Sequence, residues 1–242
     1  MLASSPRGVL PSKQNALTDR TADLEQARTD LKTAGSRAER AVPNSDDYRQ
    51  AIRHHTGMTH KIRPGVPEDV EATEYVRVTT WKTAYRGIMP DDYLDALKVE
   101  PDAVAGMEKG LAGALAEGRT PLLAGETGGR IAGFINFGRC RDEQIGGGEV
   151  FAIYVLPEAQ ASGLGYALLT AAVKRLRADG HEEIGLWVAA GNAQARRFYE
   201  RFGFVPSGRV QCHSAPLPPV EEVHYRLSPS TNSATPRMTT SG

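Results

Sequence analysis

Between Glu149 and Tyr166 the chain reads EVFAIYVLPEAQASGLGY, an apolar run that empties directly into a glycine-containing loop. The run Val150 to Leu156 has the make-up of a buried strand and Pro157 stops its pairing. Gly163 and Gly165 then allow a turn tight enough to aim consecutive amides at one point. A helix opens there, so those amides stand at its N-terminus, where unpaired N–H groups and the helix dipole favour a phosphate. The loop Gln160, Ala161, Ser162, Gly163, Leu164, Gly165 and Tyr166 is therefore a candidate pyrophosphate cradle. A dinucleotide fingerprint would need a third glycine where Leu168 stands, and a P-loop would need Gly-Lys-Ser/Thr; neither occurs. Taken alone, the segment also suits a glycine-capped turn with no ligand.

A second segment narrows the choice. Ile184 to Ala190 reads as a short apolar strand, and Asn192 to Glu200 as a helix closed by Gly203, after which Phe204 starts another strand. Gln160-Ala161-Ser162-Gly163-Leu164-Gly165 resembles the Q/R-x-x-G-x-G/A segment of the GNAT superfamily of N-acetyltransferases, which cradles the pyrophosphate of coenzyme A. Asn192, Ala195, Phe198, Tyr199 and Glu200 resemble the family's N-x-x-A-x-x-F-Y-E segment. The two lie in the family's order with a helical stretch, Leu164 to Arg177, between them. The resemblance covers about residues 60–227. It implies acetyl-CoA as cosubstrate, an amine acceptor, and a largely antiparallel α/β sheet, flanked by helices, whose central strands splay apart to admit the coenzyme.

Acetyl transfer from a thioester to an amine needs a bound donor, a neutral amine, a stabilised oxyanion and a way to discharge the thiolate. The amides of Ser162 to Tyr166 would hold the pyrophosphate. The main chain of Ile153, Tyr154 and Val155 would pair with the pantetheine amides like an added strand. Asn192 and Ala195 are the contacts expected on the far side, Asn192 serving equally as a plain helix cap. The family often carries a basic residue beside the loop glycines, where this chain has Ala161 and Ser162. Arg196 or Arg197 is the expected substitute.

Tyr199 is the candidate general acid, a phenol placed to stabilise or protonate the departing thiolate; a packed aromatic is the plainer role. Glu149 stands eleven residues before Gln160, the offset of the base in the histone-acetylating branch of the superfamily. Apolar neighbours would push its pKa up, whereas an ordinary strand-end glutamate is simply solvated. A main-chain N–H near Val155 would meet the oxyanion. For the acceptor, Trp81, Tyr85 and Arg86 fall in a region that resembles the acceptor wall of small-molecule members. Trp81 and Tyr85 lie four apart on one helical face, which suits core packing as well.

The elements that must position these residues follow from periodicity and turn signals. Strands are expected at 60–64, 120–126, 130–138, 148–156, 184–189, 204–212 and 221–227, with a hairpin turn at Thr127-Gly128-Gly129. Helices are expected at 67–85, 91–98, 101–117, 163–178 and 192–202. The domain spans 58–228. Residues 1–57 hold one aromatic, Tyr48, and read as a dispensable extension, a solvated helix or disordered, despite leucines at 10, 17, 24 and 31; residues 229–242 read as a disordered tail.

Composition bounds the partners. Lys+Arg and Asp+Glu number 29 each in 242 residues, so no bulk charge attracts nucleic acid or an anionic membrane. Two cysteines and no membrane-length apolar run make a cytoplasmic protein without a disulfide scaffold the expectation. The six histidines show no zinc-type spacing, so no metal is expected. Homodimers are common in the family, which makes a dimer an expectation by analogy. The best reading is an N-acetyltransferase acting on a small-molecule amine. A protein N-terminal or lysine acetyltransferase and a non-catalytic acyl-CoA sensor stay open beside it.

Overall fold

The computed structural model describes residues 60–213 and 218–229; the expectations for the 1–57 extension and for the tail beyond residue 229 lie outside them. The chain runs through β1 (Lys61–Pro64), a 3-10 turn (Pro67–Asp69), α1 (Val70–Ala84), α2 (Asp91–Ala96), α3 (Pro101–Ala116), β2 (Leu122–Thr127) and β3 (Arg130–Arg139). It continues with β4 (Gly148–Val155), a second 3-10 turn (Pro157–Ala159), α4 (Leu164–Ala178), β5 (Ile184–Ala189), α5 (Ala193–Phe202), β6 (Val205–His213) and β7 (Val220–Leu227). Among the described residues seven strands form one sheet in the order β1-β2-β3-β4-β5-β7-β6. Each neighbouring pair is antiparallel except β4 and β5.

Local chemistry explains most boundaries. Gly128 and Gly129 both take positive φ, 60° and 76°, which a two-residue hairpin turn matched to the strand twist requires. The expected helix from residue 67 starts as a 3-10 turn and becomes α only at Val70. Asp69 is the reason: its carboxylate accepts the Val66 N–H (2.9 Å) and the Arg63 guanidinium (2.9 Å), which also bonds Glu126 (2.6 Å), so the helix start is drawn back onto β1 and β2.

Helices cover both faces. A side chain on Gly133 would meet Leu168 of α4, whereas the next residue, Phe134, packs against Tyr154 (5.5 Å), which in turn faces Trp81 of α1 (6.5 Å). Successive strand residues point to opposite faces, so α4 and α1 sandwich the sheet. Leu164, Leu168, Leu169 and Leu176 of α4 are fully buried in that core.

The sheet opens where the site must be. β4 and β5 stay in register only over Gly148↔Ile184, Glu149↔Gly185 and Val150↔Leu186. Beyond that, β4 keeps to β3 as far as Val155 and β5 keeps to β7 as far as Ala189. Phe151 is the extra residue of a β-bulge against β3, since Asn136 opposes Ala152 and Phe137 opposes Val150. A bulge bends and twists its strand. It sits where β4 turns away from β5, and the expected splay results.

Candidate functional site

The gap is lined first by backbone. Leu156 N–H bonds the Ala132 carbonyl (2.9 Å), so hydrogen bonds to β3 alternate back through Tyr154 and Ala152. Ile153 and Val155 therefore turn their amides and carbonyls into the gap. Of the three main-chain positions expected there, Tyr154 is the exception: its backbone faces β3 and it offers its ring to the cleft instead. The Val155 carbonyl already accepts Gln160 Nε2 (3.1 Å) and Thr80 Oγ1 (3.4 Å), which hold the loop and α1 against the strand end.

The glycine loop is tied down on three sides. Gly163 sits at φ 92°, and Ala161, at φ 58°, is the single non-glycine with positive φ among the described residues. His60 Nε2–H donates to the Ser162 carbonyl (2.8 Å), which leaves Nδ1 to accept from Thr127 Oγ1 (3.0 Å). Ser162 Oγ donates to the Ala159 carbonyl (2.6 Å). Gln194 Nε2 on α5 donates to Gln160 Oε1 (3.2 Å), bridging the gap. The first bond of α4 runs from Ala167 N–H to Gly163 O (3.0 Å), so the amides ahead of it, Gly165 and Tyr166, form the open helix end. Two loop residues contribute less than expected. The Leu164 side chain lies in the core under Gly125, and neither Leu164 nor Ser162 lines the cleft.

The opposite wall is α5. Asn192 Oδ1 accepts the Ala195 N–H (3.0 Å), a helix cap, and both residues border the cleft. The missing cation is supplied by neither expected arginine. Arg196 turns to Tyr225 Oη (3.0 Å) and the Ala190 carbonyl (3.2 Å), and Arg197 is exposed outside the cleft. Arg201, three residues past Phe198, lines it instead, and helical spacing from Phe198 was the signal for it.

Tyr199 is buried, its ring held edge-on by Phe198 (5.3 Å) and Phe204 (5.9 Å). Burial, and then the neighbouring Tyr154, push its phenol well above the ordinary range, so the hydroxyl keeps its proton at neutral pH. Tyr85 and Tyr154 are shifted the same way, chiefly by burial. Trp81 and Tyr85 (5.0 Å apart) line the cleft as well as packing beside Met89 and Leu94. Arg86 does not join them: it is exposed and paired with Asp91 (3.1 Å) and Asp95 outside the cleft.

Glu149 lines the cleft and is buried, yet it is not surrounded by apolar groups alone. The Arg141 guanidinium (2.6 Å) and the Arg141 N–H (3.0 Å) bond its two oxygens, and that guanidinium lies over the Phe151 ring (4.6 Å). The expectation of a carboxylate flanked by apolar residues thus misses a partner eight residues upstream. Sequence reasoning also passes over Glu222 on β7, which lines the same cleft and accepts Gln211 Nε2 (2.7 Å). The whole cavity measures about 720 Å³. Among the described residues no helix is long and apolar enough to cross a membrane.

A family model described as the acetyltransferase (GNAT) family matches residues 81–204. The uncharacterized N-acetyltransferase YuaI of Bacillus subtilis (strain 168) is 33% identical over 132 residues, 54% of this chain and 72% of that protein. Mycothiol acetyltransferase of Actinosynnema mirum is 39% identical over 83 residues, which cover 34% of this chain and 27% of the relative. Among solved structures, PaiA N-acetyltransferase from Thermoplasma acidophilum in complex with coenzyme A aligns with a TM-score of 0.56 at 21% identity, over 71% of this chain and 99% of its own. YncA from Salmonella typhimurium, solved with its cofactor acetyl-CoA, aligns at 0.53 and 21%, over 73% and 98%. At such identities the two structures speak for the fold, which is this splayed sheet. The family model and the Bacillus relative speak for the lineage, and the chain belongs to the GNAT family of acetyltransferases.

Proposed function

We propose that the protein transfers the acetyl group of acetyl-CoA to the primary amine of a small molecule by direct attack. The observation that carries this is the convergence, in one gap, of the inward amides of Ile153 and Val155, the open N-terminus of α4 and the Tyr199 phenol. The helix end and Arg201 suit a pyrophosphate, and the two β4 residues suit the amides of a pantetheine arm laid beside them as a strand. Relatives with the same fold hold coenzyme A or acetyl-CoA. A cleft walled by Trp81, Tyr85 and Tyr154 favours a small acceptor over a protein chain, in keeping with the mycothiol acetyltransferases among the relatives.

In the reaction the amine lone pair attacks the thioester carbon, an amide bond forms, the C–S bond breaks and the electron pair leaves on sulfur. A thiol ionises near pH 8.5, well below this buried phenol, so Tyr199 holds the thiolate by a hydrogen bond rather than by surrendering its proton outright. The test is release of coenzyme A, followed with a thiol reagent, when the full chain is given acetyl-CoA and a library of primary amines. Turnover confined to one amine class is expected. Tight acetyl-CoA binding without release on any amine would replace the enzyme by an acyl-CoA sensor.

A further inference from the structure

At the end of the sheet where β4 and β5 are still paired lies a second cavity, about 300 Å³, and none of the residues that line it borders the cleft. A break in strand pairing builds it. Pro206 opposes Tyr225 and Val210 opposes Val223, so Ser207, Gly208 and Arg209 of β6 together stand against His224 of β7. Gly208, at φ 83°, allows this bulge, and a bulge re-aims the side chains of its strand. Ser207, Arg209, His224 and Arg226 all border the cavity, with Glu183 as the one carboxylate among its lining residues. From β5 comes Gly185, where a Cβ would lie 2.5 Å from His224 Nε2, so only glycine leaves the ring its place at the wall.

His224 is buried, and Ser207 Oγ, which accepts the Arg209 N–H (3.3 Å), lies 2.8 Å from its Nδ1. Burial first, then Arg209 and Arg226, depress the pKa of the ring against the opposite pull of Glu149 and Asp142. The imidazole is therefore neutral at pH 7, and both guanidiniums stand within electrostatic reach of it. With Ser207 donating to Nδ1, the ring proton sits on Nε2, beside Gly185. Arg226 meets Glu183 at 3.8 Å with both side chains exposed, a contact that leaves the guanidinium its N–H donors. We propose that this cavity is an anion site, independent of the coenzyme cradle, which holds a phosphate group between His224 Nε2–H, Arg209 and Arg226. Two arginines against one glutamate make the lining net positive. Two guanidiniums and an imidazole also offer more donors than the two oxygens of a carboxylate can use, whereas a phosphate has oxygens for all three groups.

The experiment is calorimetric titration of the full chain with inorganic phosphate at neutral pH, with saturating coenzyme A present to fill its own phosphate site. A parallel NMR titration follows the His224 ring resonances, identified by their loss in His224→Gln. Expected is saturable binding that moves those resonances and weakens about 3- to 10-fold in each of Arg209→Ala and Arg226→Ala, while circular dichroism and acetyl-CoA affinity stay at wild-type values. Glycerol phosphate, run in place of inorganic phosphate, tells an ester from the free ion, the tighter binder naming the source. Acetate should bind at least about 3-fold more weakly than either. No saturable binding, His224 resonances that stay in place, or an affinity unaltered in both arginine variants overturns the site. Acetate binding as tightly as phosphate overturns the assignment to phosphate. None of these outcomes bears on the acetyl transfer.

Discussion

Replacing Tyr199 with Phe removes one oxygen from a ring that Phe198 and Phe204 hold in place by its edges and faces. The packing survives and the proposed donor to the sulfur is lost. A hydrogen bond to a charged partner contributes about 1.5–3 kcal/mol, and each 1.36 kcal/mol of barrier is tenfold in rate. Tyr199→Phe should therefore lower kcat by roughly 10- to 150-fold. KM for acetyl-CoA and the urea midpoint should stay near wild type, because the ring contacts are kept and Tyr199 lines the cavity. The assay is initial-rate thiol release at saturating acetyl-CoA and amine, with chemical denaturation in parallel. The wild type should also show no loss of rate from tyrosine ionisation up to about pH 10, because burial and Tyr154 hold this phenol above the ordinary value. A kcat within about threefold of wild type in a stably folded Tyr199→Phe would refute the reasoning and leave Tyr199 as a packing residue.

Three further outcomes are expected. Gly147→Ala meets two obstacles at the turn into β4, a φ of 76° and a new Cβ 2.5 Å from the Glu183 carbonyl oxygen, so it should destabilise the protein by roughly 2–4 kcal/mol in urea; a loss under about 1 kcal/mol would contradict the packing described. His224 is buried against Trp187 (4.9 Å), and burial, with Arg209 adding to it, depresses its pKa in the fold. The unfolded chain then takes up a proton first, so stability is full above about pH 6.5 and falls as the pH drops below it; His224→Gln should flatten that fall, and an unchanged pH profile would count against it. Arg201→Ala should weaken acetyl-CoA binding roughly 3- to 10-fold by calorimetry, with the effect fading in high salt, while an unaltered affinity would remove Arg201 from the coenzyme site.

The order and type of nearly every element could be read in the sequence because short-range chemistry sets them. Gly128-Gly129 dictates the hairpin, Asn192 starts α5 and Gly203 ends it at φ 112°, and the Gly163 turn puts bare amides ahead of α4. Each depends on a few consecutive residues, so the glycine loop ahead of α4 and the place of Tyr199 on α5 were legible as well. What the sequence could not place were side chains whose destination depends on distant strands. Arg141 lies on a loop and reaches Glu149 only because β3 and β4 pair, and Arg86 is captured by Asp91 and Asp95 before it can enter the cleft. Arg196 and Arg201 differ by little more than a helical turn, yet one reaches Tyr225 and the other the cleft. Glu222 stands far along the chain from Trp81, and only the insertion of β7 between β5 and β6 brings it to the same cavity. Local backbone preference is written in neighbouring residues, whereas the meeting of charges across a sheet is decided by register and strand order.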